Sequence, residues 1–221
     1  MEKKNGMDLM HTAHQPAGQG PFPTIVALHG WGASAHDLLG LAPYLYGGQA
    51  LVLCPQGPMS LETGPGTTGY GWVPITGGAP PDAATFHASV ERLSAFLDVL
   101  YERYPVDASK VILLGFSQGG VMAYSLALRD PKRYAALVAL SSWLPDALVD
   151  QLGPCPDGES LPIFISHGTE DAIIPIHRAQ ESNARLLDLG YEPQYREYKM
   201  QHEIRPEALS DMVAFLETKA L

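Results

Sequence analysis

A serine stands between two glycines in the run LLGFSQGG at residues 113–120. The pattern G-x-S-x-G, here Gly115 to Gly119 around Ser117, is typical of a sharp turn from a strand into a helix. Such a turn lifts the serine out of the sheet toward a base, and without a base to take its proton a serine is a poor nucleophile. A β-carbon at either glycine would collide with the neighbouring strand or helix. The predicted chemistry is nucleophilic attack by an activated Ser117.

The segments on either side of the serine have the character that this turn needs. Residues 110–114 form a short run that is apolar after Lys110 and includes two β-branched residues, as in a strand buried on both faces of a parallel sheet. Residues 118–129 carry apolar side chains at helical spacing, and Pro131 ends that helix. A chance occurrence of the motif would rarely lie between such a strand and such a helix. The strand–turn–helix around Ser117, called the elbow below, is therefore favoured as functional over an accidental match.

Strands and helices alternate along the rest of the chain. The predicted strands are residues 24–28, 50–54, 110–114, 135–140, 161–165 and 195–198, and the predicted helices are residues 38–45, 86–104, 118–129, 178–189 and 206–216. Asp82 is the expected N-cap of the second helix. This alternation predicts a mainly parallel, doubly wound sheet with helices on both faces and functional residues at the carboxyl ends of its strands. We expect one α/β domain over residues 1–221, with an irregular N-terminal segment over residues 1–20.

Chain order selects an acid and a base. After a G-x-S-x-G elbow, the acid follows a later strand and the histidine follows the last one. Asp171 is the only aspartate beyond the serine that directly follows a predicted strand, with Glu170 as the neighbouring alternative. His202 lies between the last strand and the last helix, whereas His177 lies at a helix start, where a capping or exposed role fits better. We therefore expect His202 to take the proton of Ser117, while Asp171 orients the ring and stabilises the cation.

The tetrahedral intermediate of such an attack needs hydrogen-bond donors for its oxygen. The backbone N–H of Gln118 is one candidate, because it begins a helix whose dipole favours negative charge. The N–H of Trp31 is the other, because Gly30 and Gly32 allow it to turn inward after the first predicted strand. His29, in the same loop, is interpreted as structural.

Two segments bear on the substrate. Residues 55–81 are too long and too apolar for a plain connector. Residues 142–160 are too short for a multi-helix cap, and this shortness predicts an open, shallow groove with a minimal cap. Candidates to line an acyl slot are Tyr70, Trp72, Trp143 and Leu144, with Met59 and Leu61 as weaker ones. One or two of these side chains can equally belong to the core. An apolar slot separates acyl lengths by about 1–3 kcal/mol per methylene at most, so any preference for short or medium chains would be broad.

Composition argues against several other classes of function. With a formal net charge of −10, the chain has no basic stripe for nucleic acid or for an anionic membrane. No segment approaches the length of a membrane span, the N-terminus lacks the apolar stretch of a secretory signal, and the two cysteines make no disulfide framework, so we expect a cytoplasmic protein. No metal-ligand cluster and no nucleotide loop is visible in the sequence, so we expect no metal and no cofactor. A homodimer formed through exposed apolar loops stays open.

Five segments carry a further signal. They are LHGWGAS at residues 28–34, GFSQGG at 115–120, SSWLP at 141–145, HGTEDAIIP at 167–175 and HEI at 202–204. Together they resemble the phospholipase/carboxylesterase family of α/β hydrolases, which includes bacterial carboxylesterases and acyl-protein thioesterases. The resemblance implies the α/β-hydrolase fold, gives Ser117, Asp171 and His202 the triad positions, and puts the oxyanion hole at the two backbone groups named above. Gln201 departs from the family, which commonly has glycine before the histidine.

The function predicted by these residues is hydrolysis of small to medium-chain, uncharged carboxylic esters through an acyl-enzyme on Ser117. Acyl thioesters and lysophospholipids are alternative substrates of the same mechanism. A peptidase or a dienelactone-type hydrolase is a second hypothesis, although the latter normally uses cysteine where this chain has serine. The alternative of another class is a catalytically retired ligand-binding or interaction module, and the intact apparent triad counts against it.

Overall fold

Nine strands and five α-helices follow one another in the part of the chain that the structure, a computed structural model, describes: residues 9–75, 82–149, 151–155 and 161–219. The strands are β1 (His11–His14), β2 (Phe22–Leu28), β3 (Leu51–Pro55), β4 (Met59–Gly64), β5 (Thr67–Gly71), β6 (Val106–Phe116), β7 (Ala136–Leu140), β8 (Ile163–Gly168) and β9 (Gln194–Tyr198). The helices are α1 (Ala83–Arg103), α2 (Gln118–Ala127), α3 (Asp146–Val149), α4 (His177–Asp188) and α5 (Pro206–Lys219), with a 3-10 helix over Leu38–Gly48.

Seven of the strands form one sheet in the order β1-β3-β2-β6-β7-β8-β9. β1 is antiparallel to β3, and every other neighbouring pair in this sheet is parallel. The mainly parallel sheet that the sequence predicts is therefore confirmed. β6, which leads into the Ser117 turn, is the central strand.

The central strand shows why the sheet is covered on both faces. Val111 and Leu113 of β6 belong to an apolar cluster with α1, α2 and α4, whereas Ile112 and Leu114 belong to a second cluster with α5 and the 3-10 helix. Successive side chains of a strand point to opposite faces, so an unbroken apolar run needs a helical layer on each side. Full burial of each such side chain stabilises the fold by about 1.5–3 kcal/mol. The doubly wound arrangement follows from this run.

The helices begin largely where the sequence predicts. The carboxylate of Asp82 accepts the backbone N–H of Thr85 (3.0 Å), which confirms Asp82 as the N-cap of α1. The segment predicted as a helix from residue 38 is instead a 3-10 helix that contains Pro43, whose ring nitrogen has no hydrogen to donate. In the described ranges, no helix combines the length and apolarity that crossing a membrane requires.

The N-terminal segment corrects one expectation. Residues 9–20 are not irregular throughout, because β1 pairs with β3 from His11 opposite Pro55 to His14 opposite Val52; residues 1–8 lie outside the described residues. The β1 sequence HTAH has no apolar run that would predict a strand. It forms because the edge of β3 offers unpaired backbone groups, which only the assembled sheet presents.

The hairpin β4–β5 lies in the segment 55–81, for which the sequence predicts no element. The N–H of Tyr70 donates to the carbonyl of Ala33 (2.7 Å), and the N–H of Gly32 donates to the carbonyl of Tyr70 (2.8 Å). The hairpin is therefore attached to the loop that follows β2. Residues 76–81 lie outside the described residues.

Replacement of Gly119 by alanine is expected to lower the free energy of unfolding by about 3 kcal/mol, at the upper end of overpacking costs. A β-carbon there would overlap the backbone carbonyl of Leu28, which cannot move without disturbing β2. Urea unfolding followed by circular dichroism measures the change. Gly40→Ala is the matched control, because a β-carbon at Gly40 meets no atom within 4 Å. Equal stabilities of the two variants would contradict the close packing of the elbow on β2.

Candidate active site

The loops after β2 and β6 meet where the strand order reverses. After β2 the chain adds β3 next to one edge of β2 and later adds β6 next to its other edge. A crevice therefore opens beyond the carboxyl ends of β2 and β6. Ligands of open α/β sheets bind in such a crevice. The two loops are in contact, because a β-carbon at Gly30 would lie 3.3 Å from the β-carbon of Ser117.

Ser117 occupies the turn between β6 and α2. Its φ of +52° and ψ of −121° form a conformation that residues with a side chain rarely adopt, at a cost of about 1–3 kcal/mol. The Ser117 N–H donates to the carbonyl of Leu140 at the end of β7 (2.9 Å), and the hydroxyl of Ser142 donates to the Ser117 carbonyl (2.8 Å). Backbone strain is thus held at the residue whose hydroxyl is predicted to react.

Both carboxylate oxygens of Asp171 are engaged. Oδ1 accepts the backbone N–H groups of Ile173 (2.9 Å) and Ile174 (2.8 Å), so the turn after β8 fixes the side chain. Oδ2 accepts the Nδ1–H of His202 (2.7 Å). The carboxylate is buried. This arrangement orients the imidazole of His202 as a triad acid does.

The imidazole of His202 packs against the residue before Ser117. Its centroid lies 4.8 Å from that of the Phe116 ring. Because Nδ1 carries the hydrogen that Asp171 accepts, Nε2 is the basic nitrogen. Ser117 Oγ makes no hydrogen bond within the described residues, and in enzymes without substrate such catalytic bonds are often long and shorten on binding. The structure joins Asp171 to His202 and sets this pair against the turn that carries Ser117.

Glu170 and His177, the alternative acid and the other histidine considered from the sequence, do not belong to the Asp171–His202 pair. The Glu170 side chain is 49% exposed, with the Lys199 ammonium 3.9 Å from its carboxylate. His177 is an exposed residue at the start of α4. Within the described residues, neither side chain hydrogen-bonds to Asp171 or His202, which favours the predicted acid and base.

Sequence reasoning missed His167, at the end of β8. Its Nε2–H donates to the carbonyl of Ile174 (2.8 Å) and lies 3.3 Å from Asp171 Oδ2. The ring is fully buried, and this burial lowers the pKa of His167, so the neutral donor form is favoured. Its position four residues before Asp171 in the same motif was the signal that could have identified it.

The two predicted oxyanion donors lie at the ends of adjacent strands. The N–H of Gln118 is the first of α2, and the N–H of Trp31 lies in the loop after β2; neither has an acceptor in the described ranges. β2 and β6 pair in register up to Leu28 opposite Gly115, so both loops leave the sheet at the same level. Two free N–H groups beside a serine are what a developing oxyanion requires.

The residues proposed for an acyl slot divide into two groups. Trp72 is 1% exposed, and its indole N–H donates to the carbonyl of His29 (2.8 Å), so it supports the loop and does not line an open groove. Leu144 is also buried in the core, where its N–H donates to Ser182 Oγ (2.8 Å). The sequence could not separate these two from slot residues, because aromatic and aliphatic side chains serve both purposes. The other four candidates are half-buried and stay predictions: Tyr70, Trp143, Met59 and Leu61.

Two buried histidines beside the site predict a stability that falls in acid. Burial lowers the pKa of His29 and of His167 from the ordinary value of 6.5. As the pH falls through that value, the unfolded chain therefore binds more protons than the native chain, and stability decreases. For each histidine the slope approaches about 1.4 kcal/mol per pH unit once the pH is well below 6.5, and it holds until the native side chain itself takes a proton. Urea unfolding between about pH 7.5 and 5.5 measures this dependence.

His167→Gln tests the contribution of one histidine, because glutamine keeps an N–H donor but does not titrate. The free energies of unfolding of the variant and the parent chain should converge as the pH falls. His36→Gln, at an exposed histidine, is the control and should leave the pH dependence unchanged. Parallel pH profiles for all three proteins would contradict a neutral, buried His167.

A mainly parallel sheet that carries a strained serine at the turn after its central strand is the architecture of an α/β hydrolase. The order of serine, aspartate and histidine along the chain agrees with that class. Within it, the chain belongs to the phospholipase/carboxylesterase family, whose model matches residues 11–220. The resemblance seen in the sequence motifs is thus confirmed.

Two curated relatives are named acyl-protein thioesterase 1. The one from Gibberella zeae is 34% identical over 110 residues, which are 48% of this chain and 47% of that protein. The one from Mycosarcoma maydis is 29% identical over 121 residues, or 52% of this chain and 50% of that protein. The chain thus spans about half the length of the curated relatives it matches.

Solved structures with the same fold include esterases. Esterase PE8 superposes with a TM-score of 0.82 and 25% sequence identity, covering 96% of this chain and 99% of that one. The carboxylesterase of Bacillus cereus gives a TM-score of 0.78 at 21% identity and covers 97% of this chain and 96% of its own. The second likeness is one of fold alone.

Proposed function

We propose that this chain hydrolyses carboxylic esters through an acyl-enzyme on Ser117. The observation that carries the proposal is the 2.7 Å hydrogen bond from His202 Nδ1–H to Asp171, in a ring packed against Phe116. It gives the histidine one basic nitrogen beside a strained turn, and the hydroxyl of Ser117 in that turn makes no hydrogen bond in the described part of the chain.

Acylation begins when Ser117 Oγ attacks the ester carbonyl carbon as His202 Nε2 takes its proton. The carbonyl π electrons move to oxygen, and the N–H groups of Trp31 and Gln118 stabilise the resulting anion. The intermediate then expels the alcohol, which takes the proton from His202. Asp171 stays ionised and stabilises the imidazolium while it exists.

Deacylation repeats these steps with water. The oxygen of a water molecule attacks the acyl carbon of the ester on Ser117, and His202 takes a proton from that water. Collapse of the second intermediate breaks the bond to Oγ, which recovers the proton from His202. The acid leaves and the chain returns to its starting state.

The surroundings of the serine favour small to medium, uncharged esters. In residues 142–149 and 151–155, the described parts of the predicted cap segment, the only helix is the four-residue α3, so no multi-helix cover is present there. Residues 150 and 156–160 of that segment lie outside the described residues. A net charge of −10 disfavours the approach of anionic substrates. Tyr70 and Trp143, both half-buried, are the candidates to contact the acyl chain.

Acyl thioesters are the second candidate substrates. The observation in their favour is that two relatives are named acyl-protein thioesterases. The same serine, base and oxyanion donors serve a thioester, because only the leaving group changes from an alcohol to a thiol.

A panel of nitrophenyl esters and acyl thioesters of rising acyl length, with and without a serine-directed fluorophosphonate, tests the proposal. We expect turnover of uncharged esters that is abolished by the fluorophosphonate, with its label on Ser117. Higher kcat/KM for thioesters across the panel would assign the thioesterase activity. No turnover and no label on Ser117 would instead favour the retired binding module.

A further inference from the structure

The orientation of each oxyanion donor is set from the other side of its peptide group. A backbone N–H shares a rigid plane with the carbonyl of the preceding residue, and the two point in opposite directions. The N–H of Trp31 is therefore paired with the Gly30 carbonyl, and the N–H of Gln118 with the Ser117 carbonyl. Any group that holds one of these carbonyls also aims the N–H behind it.

A buried histidine holds the first carbonyl. His29 Nδ1 lies 2.7 Å from the Gly30 oxygen, and the N–H of Gly57 donates to His29 Nε2 (2.9 Å). Because Nε2 accepts a hydrogen bond, the ring hydrogen is on Nδ1, and this nitrogen donates to Gly30. Burial lowers the pKa of His29, which favours the same neutral form.

The backbone of His29 is fixed as well. The indole N–H of Trp72 donates to the His29 carbonyl, and the two rings lie with centroids 5.1 Å apart. The backbone N–H of Trp72 donates to the side-chain carbonyl oxygen of Gln118 (2.7 Å). A continuous set of buried hydrogen bonds thus connects the loop after β2 with the first residue of α2.

A buried serine holds the second carbonyl. Ser142 is 1% exposed, and its hydroxyl donates to the Ser117 oxygen (2.8 Å). Gly120 permits this approach, because a β-carbon there would lie 2.5 Å from Ser142 Oγ. The same Ser117 oxygen accepts the N–H groups of Gly120 (2.9 Å) and Val121 (3.3 Å), so the first turn of α2 shares the restraint.

We propose that His29 and Ser142 are positioning residues of the oxyanion hole, each holding the carbonyl of the peptide group whose N–H stabilises the intermediate. The inference rests on the proposed function, because it assigns these N–H groups to an oxyanion. His29, interpreted from the sequence as structural, has the more specific task of orienting the Gly30–Trp31 peptide.

Ser142→Ala is the first test. Loss of the hydroxyl frees the Ser117–Gln118 peptide to tilt, and we expect kcat to fall about tenfold, less than the hundredfold or more that deletion of a donor costs. KM should stay near its original value, because the oxyanion exists only in the transition state. Ser125→Ala is the matched control: Ser125 is also 1% exposed and its hydroxyl donates to a carbonyl of α2, that of Val121 (2.7 Å). The peptide group held by Ser125 lies within the helix and carries no proposed donor.

A pair of variants tests His29. Asparagine places an amide N–H near the position of Nδ1, whereas leucine removes every hydrogen bond of the side chain. We expect His29→Leu to lose more kcat than His29→Asn at similar KM. Partial rescue by asparagine distinguishes orientation of the Gly30 carbonyl from filling of space. Urea unfolding identifies a variant that fails to fold. If a His29 variant fails to fold, the comparison of Ser142→Ala with Ser125→Ala decides whether the positioning role is correct.

The rate constant of labelling by a fluorophosphonate is the readout that needs no known ester, because the phosphoryl oxygen occupies the same hole. It should fall in Ser142→Ala and His29→Leu in parallel with kcat, and stay unchanged in Ser125→Ala. If the parent chain is labelled on Ser117 but Ser142→Ala behaves as Ser125→Ala does, the positioning role is wrong and the proposed function stands. If the parent chain is not labelled, both are wrong.

Discussion

Ser117→Ala is expected to reduce ester turnover by about 10⁴-fold or more, because no other nucleophile replaces Oγ in the acyl-enzyme step. The substitution removes one oxygen and adds no atom, so the strained turn at φ +52° and the surrounding core should persist. Initial rates with a nitrophenyl ester measure the loss, and circular dichroism together with urea unfolding verifies the fold.

Two observations make the Ser117 result specific. The fluorophosphonate label should be absent from the variant, because its site of attachment is gone. Ser125→Ala, the same change at a buried serine of α2, should retain turnover within about twofold. Near-normal turnover by Ser117→Ala would sink the serine mechanism, whatever the structure of the turn.

Asp171→Asn is expected to lower kcat by about 10⁴-fold, as the same carboxylate-to-amide change does in a Ser-His-Asp protease. The amide oxygen of asparagine can still accept the N–H groups of Ile173 and Ile174, so the turn after β8 is retained. The amide nitrogen, however, donates to His202 Nδ1 and moves the ring hydrogen to Nε2. The imidazole then has no lone pair facing the serine and cannot act as its base.

Glu170→Gln is the matched control for the acid. It makes the same carboxylate-to-amide change one residue away, in a side chain that is 49% exposed and 3.9 Å from Lys199. We expect turnover within about twofold of the original chain, as for most surface substitutions. A large loss in Glu170→Gln with little change in Asp171→Asn would reverse the assignment of the acid.

The strands and helices around the sheet were predictable because local patterns encode them. Apolar, β-branched runs as at residues 110–114 have few alternatives to a buried strand, and Asp82 caps α1 through a contact with a residue three positions along. Even so, β6 extends to Val106, because Phe22 of β2 is its partner there. Such lengthening depends on a neighbour distant in sequence, which no local pattern contains.

The strand β1 and the hairpin β4–β5 show the same limit more strongly. The β1 sequence HTAH has no apolar alternation, and in β4 the alternation is limited to Met59 and Leu61. β1 pairs with the edge of β3, and the hairpin is attached through Tyr70 to the loop at Ala33. The role of Trp72 likewise depends on contacts with residues distant in sequence, His29 and Gln118. A tryptophan in a glycine-rich segment is equally compatible with a substrate slot and with the core.

By itself the sequence determined the Gly115–Gly119 turn with its serine, the order of Asp171 and His202 after it, and the alternation that makes the sheet parallel. These features are local in spacing or follow from chain order, so they are readable without coordinates. The tertiary structure alone decided that Asp171 bonds His202, that His167 lies beside them, and that His29 and Ser142 contact the carbonyls of Gly30 and Ser117, whose peptide groups carry the two proposed oxyanion donors. The contacts of Asp171 with His202 and of Ser142 with Ser117 join loops that follow different strands, because the sheet brings the carboxyl ends of its parallel strands to one edge. Even the partners of His29 and His167 depend on side-chain positions that composition and periodicity do not contain.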